Sequence, residues 1–303
     1  MAFDFKGIIP PVVTPFDENG DIKEAAIRAN VRFLLDKGVH GICFGGSTGE
    51  GHTLTGDELV TIAEACASEV NGRVPLIAGI IVNSTRDAVQ KAKRMEGIVD
   101  AFQITPVHYL FKPDDDATYR HFETITGETD KPVLIYNVIP WNYLSPALLV
   151  RLMEGLPGIL GVKQSAGDLK LFADLMITAP PDKRIYSAID ALLYPAFAMG
   201  SHGTIAANPA AVPGPCVALW NAVQAGDHAR GRQIHEALLR FWNTIFADNL
   251  PANVKTALAL QGCDAGLPRA PMPATSPERA ARIEVALKEL LAFEETATQS
   301  RAA

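Results

Sequence analysis

The chain is organised around Gly158-Ile-Leu-Gly-Val-Lys-Gln-Ser-Ala-Gly-Asp168, where a short apolar run ends in a lysine. The apolar residues predict a buried strand over Ile159–Lys163, and the Ser, Gly and Asp that follow are turn and helix-start signals. Burying a lysine in this position costs free energy, so its amine is expected to have a polar partner or a chemical role. Because desolvation favours a neutral amine, Lys163 is a candidate nucleophile that could form a Schiff base with a carbonyl. The alternative is a lysine that extends along the strand end to solvent.

Length and composition exclude several classes of protein. The chain has 303 residues, 48% of them hydrophobic and 20% charged, which suits either two domains or one α/β barrel of about 250 residues. The net charge is −7 without a Lys/Arg-rich run, and no apolar run approaches the ~18 residues of a membrane span. The four cysteines have no C-x-x-C spacing and fit a reducing compartment. We expect a cytoplasmic protein with neither nucleic acid nor membrane as a partner.

Apolar, β-branched segments alternate with amphipathic ones about eight times in the first 210 or so residues. Local signals mark several helix starts, such as the capping-box pattern Thr55-Gly-Asp-Glu58 and the proline of Ser145-Pro146. The predicted strands are Gly7–Val13, Val39–Phe44, Val74–Val82, Val99–Thr105, Pro132–Asn137, Ile159–Lys163, Arg184–Ser187 and Gly203–Ala206.

This rhythm predicts a parallel sheet with helices on its outside, and eight units of this length predict a (β/α)8 TIM barrel. An open doubly wound sheet is the alternative, although no G-x-G-x-x-G follows the first strand. We assign the barrel to residues 1–225. Further helices are predicted at Asp227–Phe246, Ala252–Leu260 and Pro277–Phe293, and they make residues 226–303 a C-terminal helical extension packed on the barrel.

Polar side chains fall repeatedly at the carboxyl ends of the predicted strands, where barrel enzymes carry their active sites. Ser47-Thr48, His108-Tyr109, Tyr136-Asn137 and Lys163 each follow or end a strand. Tyr136 could relay protons to an imine, or could simply pack as a buried ring. The glycine-flanked Ser47-Thr48 turn offers backbone N–H groups and two hydroxyls to a small carboxylate, although an ordinary loop has the same composition.

Other chemistries have weaker support in the sequence. Gly45-Gly-Ser-Thr-Gly49 matches the G-x-S-x-G elbow of serine hydrolases, but the next helix is predicted to begin only at about Thr55, whereas the elbow turns directly into a helix. The seven histidines have no metal-binding spacing such as H-E-x-x-H. We therefore expect neither a metal nor another cofactor.

Several motifs occur together and in order: Thr14-Pro15-Phe16, Gly46-Ser-Thr-Gly-Glu50, Tyr136-Asn137, Gly161-Val-Lys-Gln-Ser-Ala-Gly-Asp168 and Pro251-Ala-Asn-Val-Lys-Thr-Ala-Leu258. With these motifs the chain resembles the dihydrodipicolinate synthase / N-acetylneuraminate lyase family from Gly7 to about Pro273. That resemblance implies a class I lyase in which Lys163 forms an imine with pyruvate or a related 2-oxo acid, and an aldehyde is the second substrate.

The resemblance also implies roles for individual residues. Tyr136 would relay protons, Thr48 would stand at the usual hydroxyl position of the relay, and Ser47 with Thr48 would hold the carboxylate. Tyr109 would be the second tyrosine, which the family lends to a neighbouring subunit in a homotetramer made of dimers. The remaining expected substrate contacts are Gly46, Asn137, Trp141 and Ile205.

The sequence departs from both branches of the family. Tyr136-Asn-Val-Ile-Pro-Trp-Asn-Tyr143 lacks the arginine with which dihydrodipicolinate synthases bind the second carboxylate, and only Asp190 remains of the acidic pair typical of neuraminate lyases. We expect Trp141 and Tyr143 to make the acceptor end of the pocket aromatic and to disfavour aspartate semialdehyde.

The main hypothesis is thus a Schiff-base lyase that catalyses aldol cleavage, condensation or dehydration. The alternatives are a true dihydrodipicolinate synthase of lysine biosynthesis, a serine hydrolase that uses Ser47, and a non-catalytic 2-oxo-acid binder.

Overall fold

Eight parallel strands form one sheet in the computed structural model, which describes residues 3–302 and their side chains up to residue 293. Each strand falls inside or at a predicted segment. The strands are β1 (Gly7–Ile8), β2 (Ile42–Phe44), β3 (Leu76–Ile80), β4 (Ala101–Ile104), β5 (Val133–Asn137), β6 (Ile159–Gln164), β7 (Arg184–Ser187) and β8 (Gly203–Thr204).

Helices alternate with these strands and begin at the predicted signals. Thr55 forms the predicted capping box with Glu58, and Ser145 caps the helix whose first residue is Pro146. The helices are α1 (Glu24–Asp36), α2 (Gly56–Val70), α3 (Thr85–Met95), α4 (Asp115–Gly127), α5 (Pro146–Gly155), α6 (Leu169–Thr178), α7 (Leu193–Ala198), α8 (Ala207–Ala211), α9 (Pro213–Gln224), α10 (His228–Ile245), α11 (Leu250–Ala259) and α12 (Pro277–Ala302).

The sheet closes on itself, so the open doubly wound alternative is wrong. β8 pairs with β1 through Gly203 and Gly7, and a parallel bridge between Pro11 and Cys43 joins the β1 segment to β2. The first strand is shorter than the predicted Gly7–Val13 because prolines at positions 10 and 11 have no N–H to donate to a neighbouring strand. The chain stays extended beyond it, and the N–H of Val12 still donates to the carbonyl of Cys43 at 2.7 Å.

A layer of buried, mostly apolar side chains packs together inside the barrel. The buried side chains in this layer are Ile9, Cys43, Ile77, Ala101, Leu134, Tyr186 and Ile205. Ile205 directly follows β8 and lines a cavity at the carboxyl end of the barrel.

The helices after β8 cover the barrel from one side. α10 packs against α9 and α12, and α11 packs against α8 and α12. Within residues 3–302 no helix is both long and apolar enough to cross a membrane.

Candidate active site

Lys163 is the second-last residue of β6, and its side chain lies at the carboxyl end of the barrel strands. The strand register places it between Tyr136 on β5 and Tyr186 on β7. Its side chain is only 4% exposed, and its Nζ lies 3.8 Å from the centre of the Tyr136 ring. The alternative of a lysine that extends to solvent is therefore wrong, because this amine lies in the wall of a cavity.

The loop after β2 folds into a tight turn that only glycine permits at two positions. Gly45 has a φ of +68°, and a side chain at Gly51 would place its first carbon 1.8 Å from the carbonyl oxygen of Gly45. The N–H of Gly51 donates to the carbonyl of Gly46 at 3.0 Å and closes the turn. This turn holds the Ser47 hydroxyl 3.0 Å from the phenol oxygen of Tyr136. The two hydroxyls thus form a chain that ends beside Lys163.

A cavity of about 310 Å³ opens over these groups. Its size is at the lower end of the range for ligand pockets and suits a small molecule. It brings together five of the predicted site residues, namely Ser47, Thr48, Tyr136, Lys163 and Ile205. The other lining residues are Val138, Ser165, Ala188, Ile189, Asp190, Ala206, Ala207, Trp242, Phe246 and Leu250.

Asp190 is the acidic group of the cavity. It is buried, and its carboxylate accepts hydrogen bonds from the backbone N–H groups of Ala207 at 3.2 Å and Asn208 at 2.5 Å. Burial raises the pKa of this carboxyl to about 6, although the two N–H donors and the Lys163 ammonium act in the opposite direction. Asp190 therefore fixes the start of α8 and keeps a negative charge near the amine at neutral pH.

Comparison with known families gives a match over almost the whole chain. The model of the dihydrodipicolinate synthetase family matches residues 4–290. The chain belongs to this family. A 4-hydroxy-tetrahydrodipicolinate synthase of Methanopyrus kandleri is 34% identical over 275 residues, which cover 90% of this chain and 92% of that protein. The enzyme of the same name from Bacillus subtilis is 33% identical over 281 residues, with coverages of 91% and 96%.

Solved structures of the dihydrodipicolinate synthetase family have the same fold. A dihydrodipicolinate synthase of Bacillus anthracis superposes with a TM-score of 0.89 at 32% identity and covers 94% of this chain and 98% of its own. A prophage protein of the family from E. coli K12, determined in complex with pyruvate, superposes with a TM-score of 0.90 at 25% identity, with coverages of 95% and 99%. The family confirms the expected (β/α)8 barrel and a class I lyase that condenses pyruvate with an aldehyde.

Three residues predicted from the family motifs lie away from the cavity wall. Asn137 is buried and its side chain bonds to Leu144 and Gln164, so it holds the loop after β5 in place. Trp141 is 63% exposed, and its indole N–H donates to the carbonyls at residues 108 and 109. Trp141 turns outward because those two carbonyls accept its only donor. Tyr109 is also 63% exposed, outside the cavity of its own chain.

The remaining predicted groups, Gly46 and Tyr143, do not line the cavity but adjoin residues that do. Gly46 is buried in the turn that precedes Ser47, and the Tyr143 hydroxyl donates to the carbonyl of Ser165 at 3.2 Å. Of the two aromatic residues expected at the acceptor end, Trp141 is turned away from the cavity and Tyr143 contacts the lining residue Ser165 without lining the cavity itself.

Sequence reasoning missed the part of the wall that comes from the C-terminal helices. Trp242 and Phe246 are four residues apart at the end of α10, and Leu250 begins α11. The i, i+4 spacing of two aromatic residues was the available signal, because such residues share one helix face. In the described part of the chain, no group of three His, Cys, Asp or Glu side chains lies close enough to hold a metal ion.

Proposed function

We propose that this chain catalyses carbon–carbon bond formation or cleavage through an imine between Lys163 and pyruvate or a related 2-oxo acid. One observation carries the proposal: a buried lysine in a small cavity, with its amine against a tyrosine whose hydroxyl is bonded to a serine. The family supports it, since its members are Schiff-base lyases.

The chemistry balances without a redox partner. The Lys163 amine adds to the ketone carbon of pyruvate, water leaves, and a protonated imine forms. The imine accepts the electron pair of a C3–H bond, and the resulting enamine attacks the aldehyde carbon while the aldehyde oxygen takes a proton. Water then hydrolyses the imine, which releases a 4-hydroxy-2-oxo acid and the free amine.

The proposed roles follow the geometry of the cavity. Tyr136 relays protons to and from the imine and the leaving water. The hydroxyl bonded to Tyr136 is that of Ser47, whereas the resemblance implied Thr48, so we assign Ser47 to position Tyr136 and the turn that begins at Gly46, with the Thr48 hydroxyl, to bind the pyruvate carboxylate. Ile205 supports the methyl side of the substrate, and Asn137 keeps the loop after β5 in place.

We further propose a homotetramer made of dimers, in which Tyr109 completes the relay of a neighbouring subunit. The family resemblance and the exposed apolar run Tyr109-Leu110-Phe111, of which each side chain is at least 63% exposed, support this assembly. A mixture of Lys163→Ala and Tyr109→Phe subunits tests it. Each variant alone should be inactive, and mixing after mild dissociation should restore activity only if Tyr109 acts across the interface.

We also propose a cytoplasmic location and a division of the chain into a barrel of residues 1–225 and an extension of residues 226–303. The four buried cysteines, with no disulfide among residues 3–302, fit a reducing compartment.

The hydrolase alternative has little support from the structure. β2 ends at Phe44 and α2 begins only at Gly56, so Ser47 does not stand on a strand-to-helix elbow. Its hydroxyl is bonded to Tyr136, whose ring lies against the Lys163 amine, so the pair belongs to the surroundings of the lysine.

Borohydride reduction in the presence of pyruvate tests the main proposal. The treated protein should gain the mass of one reduced pyruvate adduct per chain, and peptide mapping should place it on Lys163. Lys163→Ala and Lys163→Arg should both lose the adduct and turnover, since a guanidinium stays protonated. A serine hydrolase or a silent binder would give no adduct.

A further inference from the structure

The acceptor side of the cavity is an apolar surface built by the C-terminal helices. The rings of Trp242 and Phe246 lie 4.9 Å apart and tilted by 33°, and Leu250 continues the surface at the start of α11. The same cavity is lined by the polar groups of Lys163, Tyr136 and the Ser47-Thr48 turn. A substrate bound to Lys163 would therefore share this small cavity with both the polar groups and the apolar surface.

Buried hydrogen bonds fix this apolar wall. Asn253 is fully buried and donates to the carbonyl of Ile245 at 2.8 Å and to the side chain of Asn249 at 3.3 Å. Its amide oxygen accepts from the Thr275 hydroxyl at 2.8 Å. The turn between α10 and α11 is thus held in one conformation, and the wall is preorganised.

The charges around the cavity disfavour an anionic tail. Among the described residues that line it, Lys163 is the only cation, and the imine would use its nitrogen. Arg269 donates instead to Glu58 and to the carbonyl of Gly20, and Lys112 lines a separate cleft. Asp190, which lines the same cavity, adds a negative charge. A second carboxylate would lose its hydration here without a partner to replace it.

From these contacts we infer that Trp242, Phe246 and Leu250 select the second substrate, and that it is a small aldehyde with a neutral, apolar or aromatic tail. The inference rests on the proposed Schiff-base function and specifies its acceptor. The condensation product would be a 4-hydroxy-2-oxo acid with an apolar substituent on C4, and cleavage of such an acid would return pyruvate and the aldehyde.

Parallel assays with saturating pyruvate test the inference. The acceptors are benzaldehyde, 3-methylbutanal, succinic semialdehyde and aspartate semialdehyde, and the condensation products are measured by mass spectrometry. The kcat/KM for the two neutral aldehydes should exceed that for either semialdehyde by about 100-fold or more, since an unpaired buried charge discriminates strongly. Equal or better use of a semialdehyde would overturn the inference.

Substitutions in the apolar wall test whether these residues cause the preference for neutral aldehydes. Trp242→Ala should lower kcat/KM for benzaldehyde by about 10–200-fold, the cost of lost apolar contact, while Trp242→Phe should lose less. Phe246→Arg should raise kcat/KM for succinic semialdehyde and lower kcat/KM for benzaldehyde. Val285→Arg is the matched control, because Val285 is 58% exposed against 61% for Phe246 and lies outside the cavity. Unchanged selectivity in both Trp242→Ala and Phe246→Arg would also overturn the inference.

Borohydride trapping distinguishes a failure of the proposed Schiff-base function from a failure of the acceptor assignment. Each variant that still forms the pyruvate adduct on Lys163 is folded and retains the first half-reaction. If the parent protein forms no adduct, the proposed function itself fails. If the adduct forms and a semialdehyde is the better acceptor, the function stands and only the acceptor assignment is wrong.

Discussion

Strand register makes Lys163 and Tyr136 neighbours. The two residues pair directly between β5 and β6, and inward side chains of paired positions lie side by side on the sheet. The Tyr136 hydroxyl is also hydrogen-bonded to the Ser47 hydroxyl. This phenol therefore links the turn after β2 to the Lys163 amine. A shift of one residue in either strand would turn Lys163 or Tyr136 away from the cavity.

Removal of the Tyr136 hydroxyl should therefore slow the chemistry without unfolding the barrel. We expect Tyr136→Phe to lower kcat by roughly 10²–10⁴-fold, the usual contribution of general acid–base catalysis, and to slow adduct formation with pyruvate. Stopped-flow trapping and steady-state kinetics measure both effects. Tyr119→Phe is the control, since Tyr119 lies on α4 and stacks with Arg151 away from the cavity. A Tyr136→Phe enzyme with parental rates would leave Tyr136 as a packing residue.

Asp190 should leave a signature in the pH dependence of stability. Because its folded-state pKa of about 6 exceeds the ordinary 3.8, the folded chain binds more protons than the unfolded chain between these values. Stability should consequently fall as pH rises from about 4 to about 6, by about 3 kcal/mol for this group. Asp190→Asn, which cannot ionise, should flatten that slope in urea unfolding measured from pH 4 to pH 7. An unchanged slope would show that Asp190 does not titrate in this range.

At the scale of elements, one buried ion pair connects the turn after β2 to α11. Glu50 has a left-handed φ of 55° and is 1% exposed, and its carboxylate accepts from the Lys255 ammonium and from the backbone N–H of Arg269. Lys255 donates in addition to the carbonyl of Leu267 at 2.7 Å. The pair therefore holds the turn that carries Ser47 and the helix that begins with Leu250 in one arrangement.

Breaking this pair should be costly because the remaining charge would stay buried. We expect Lys255→Met to lower the free energy of unfolding by about 3–5 kcal/mol, and the double variant with Glu50→Gln to lose less than the sum of the single losses. Lys288→Met removes an exposed pair with Glu284 and should cost at most about 1 kcal/mol. Urea titration of the parent and of the four variants (Lys255→Met, Glu50→Gln, their combination and Lys288→Met) measures these losses, and a Lys255→Met loss as small as that of Lys288→Met would contradict the prediction.

The elements themselves were largely predictable, whereas the acceptor wall was not. Strands and caps follow from local patterns, so the Arg184–Ser187 strand and the Thr55 cap were found at their positions. The direction of Trp141 depends on which carbonyls its indole meets from another loop, and sequence spacing does not encode that contact. The place of Trp242 depends on how α10 packs across the barrel, which is a long-range property.

At the scale of the whole molecule, two histidines join neighbouring segments at the amino-terminal side of the barrel. The Nδ1 of His40 accepts from the N–H of Ile8 at 3.2 Å, and the Nδ1 of His202 accepts from the N–H of Ile185 at 3.1 Å. Burial lowers the pKa of both rings, which keeps them neutral and able to accept.

The barrel should therefore become more stable as pH rises through the ordinary histidine pKa of about 6.5. Below that value the unfolded chain binds protons that the folded rings resist, so protonation favours unfolding. We expect a higher Tm at pH 7.5 than at pH 6, a window in which the Asp190 effect is largely complete. The double variant His40→Gln, His202→Gln should show a smaller difference by calorimetry, and an undiminished difference would assign it to other groups.

The ion pair between Glu50 and Lys255 can form only late in translation. Its two partners are 205 residues apart, so a ribosome that adds ~5–20 residues per second needs roughly 10–40 s to deliver the second after the first. In the last part of that interval, after residue 163 has been added, the nascent chain carries Lys163 but still lacks the Lys255 partner of Glu50, and Trp242, Phe246 and Leu250 are added only shortly before Lys255. The pocket around the Lys163 amine is thus completed only near the end of translation. A chain terminated before Lys255 would lack the complete pocket.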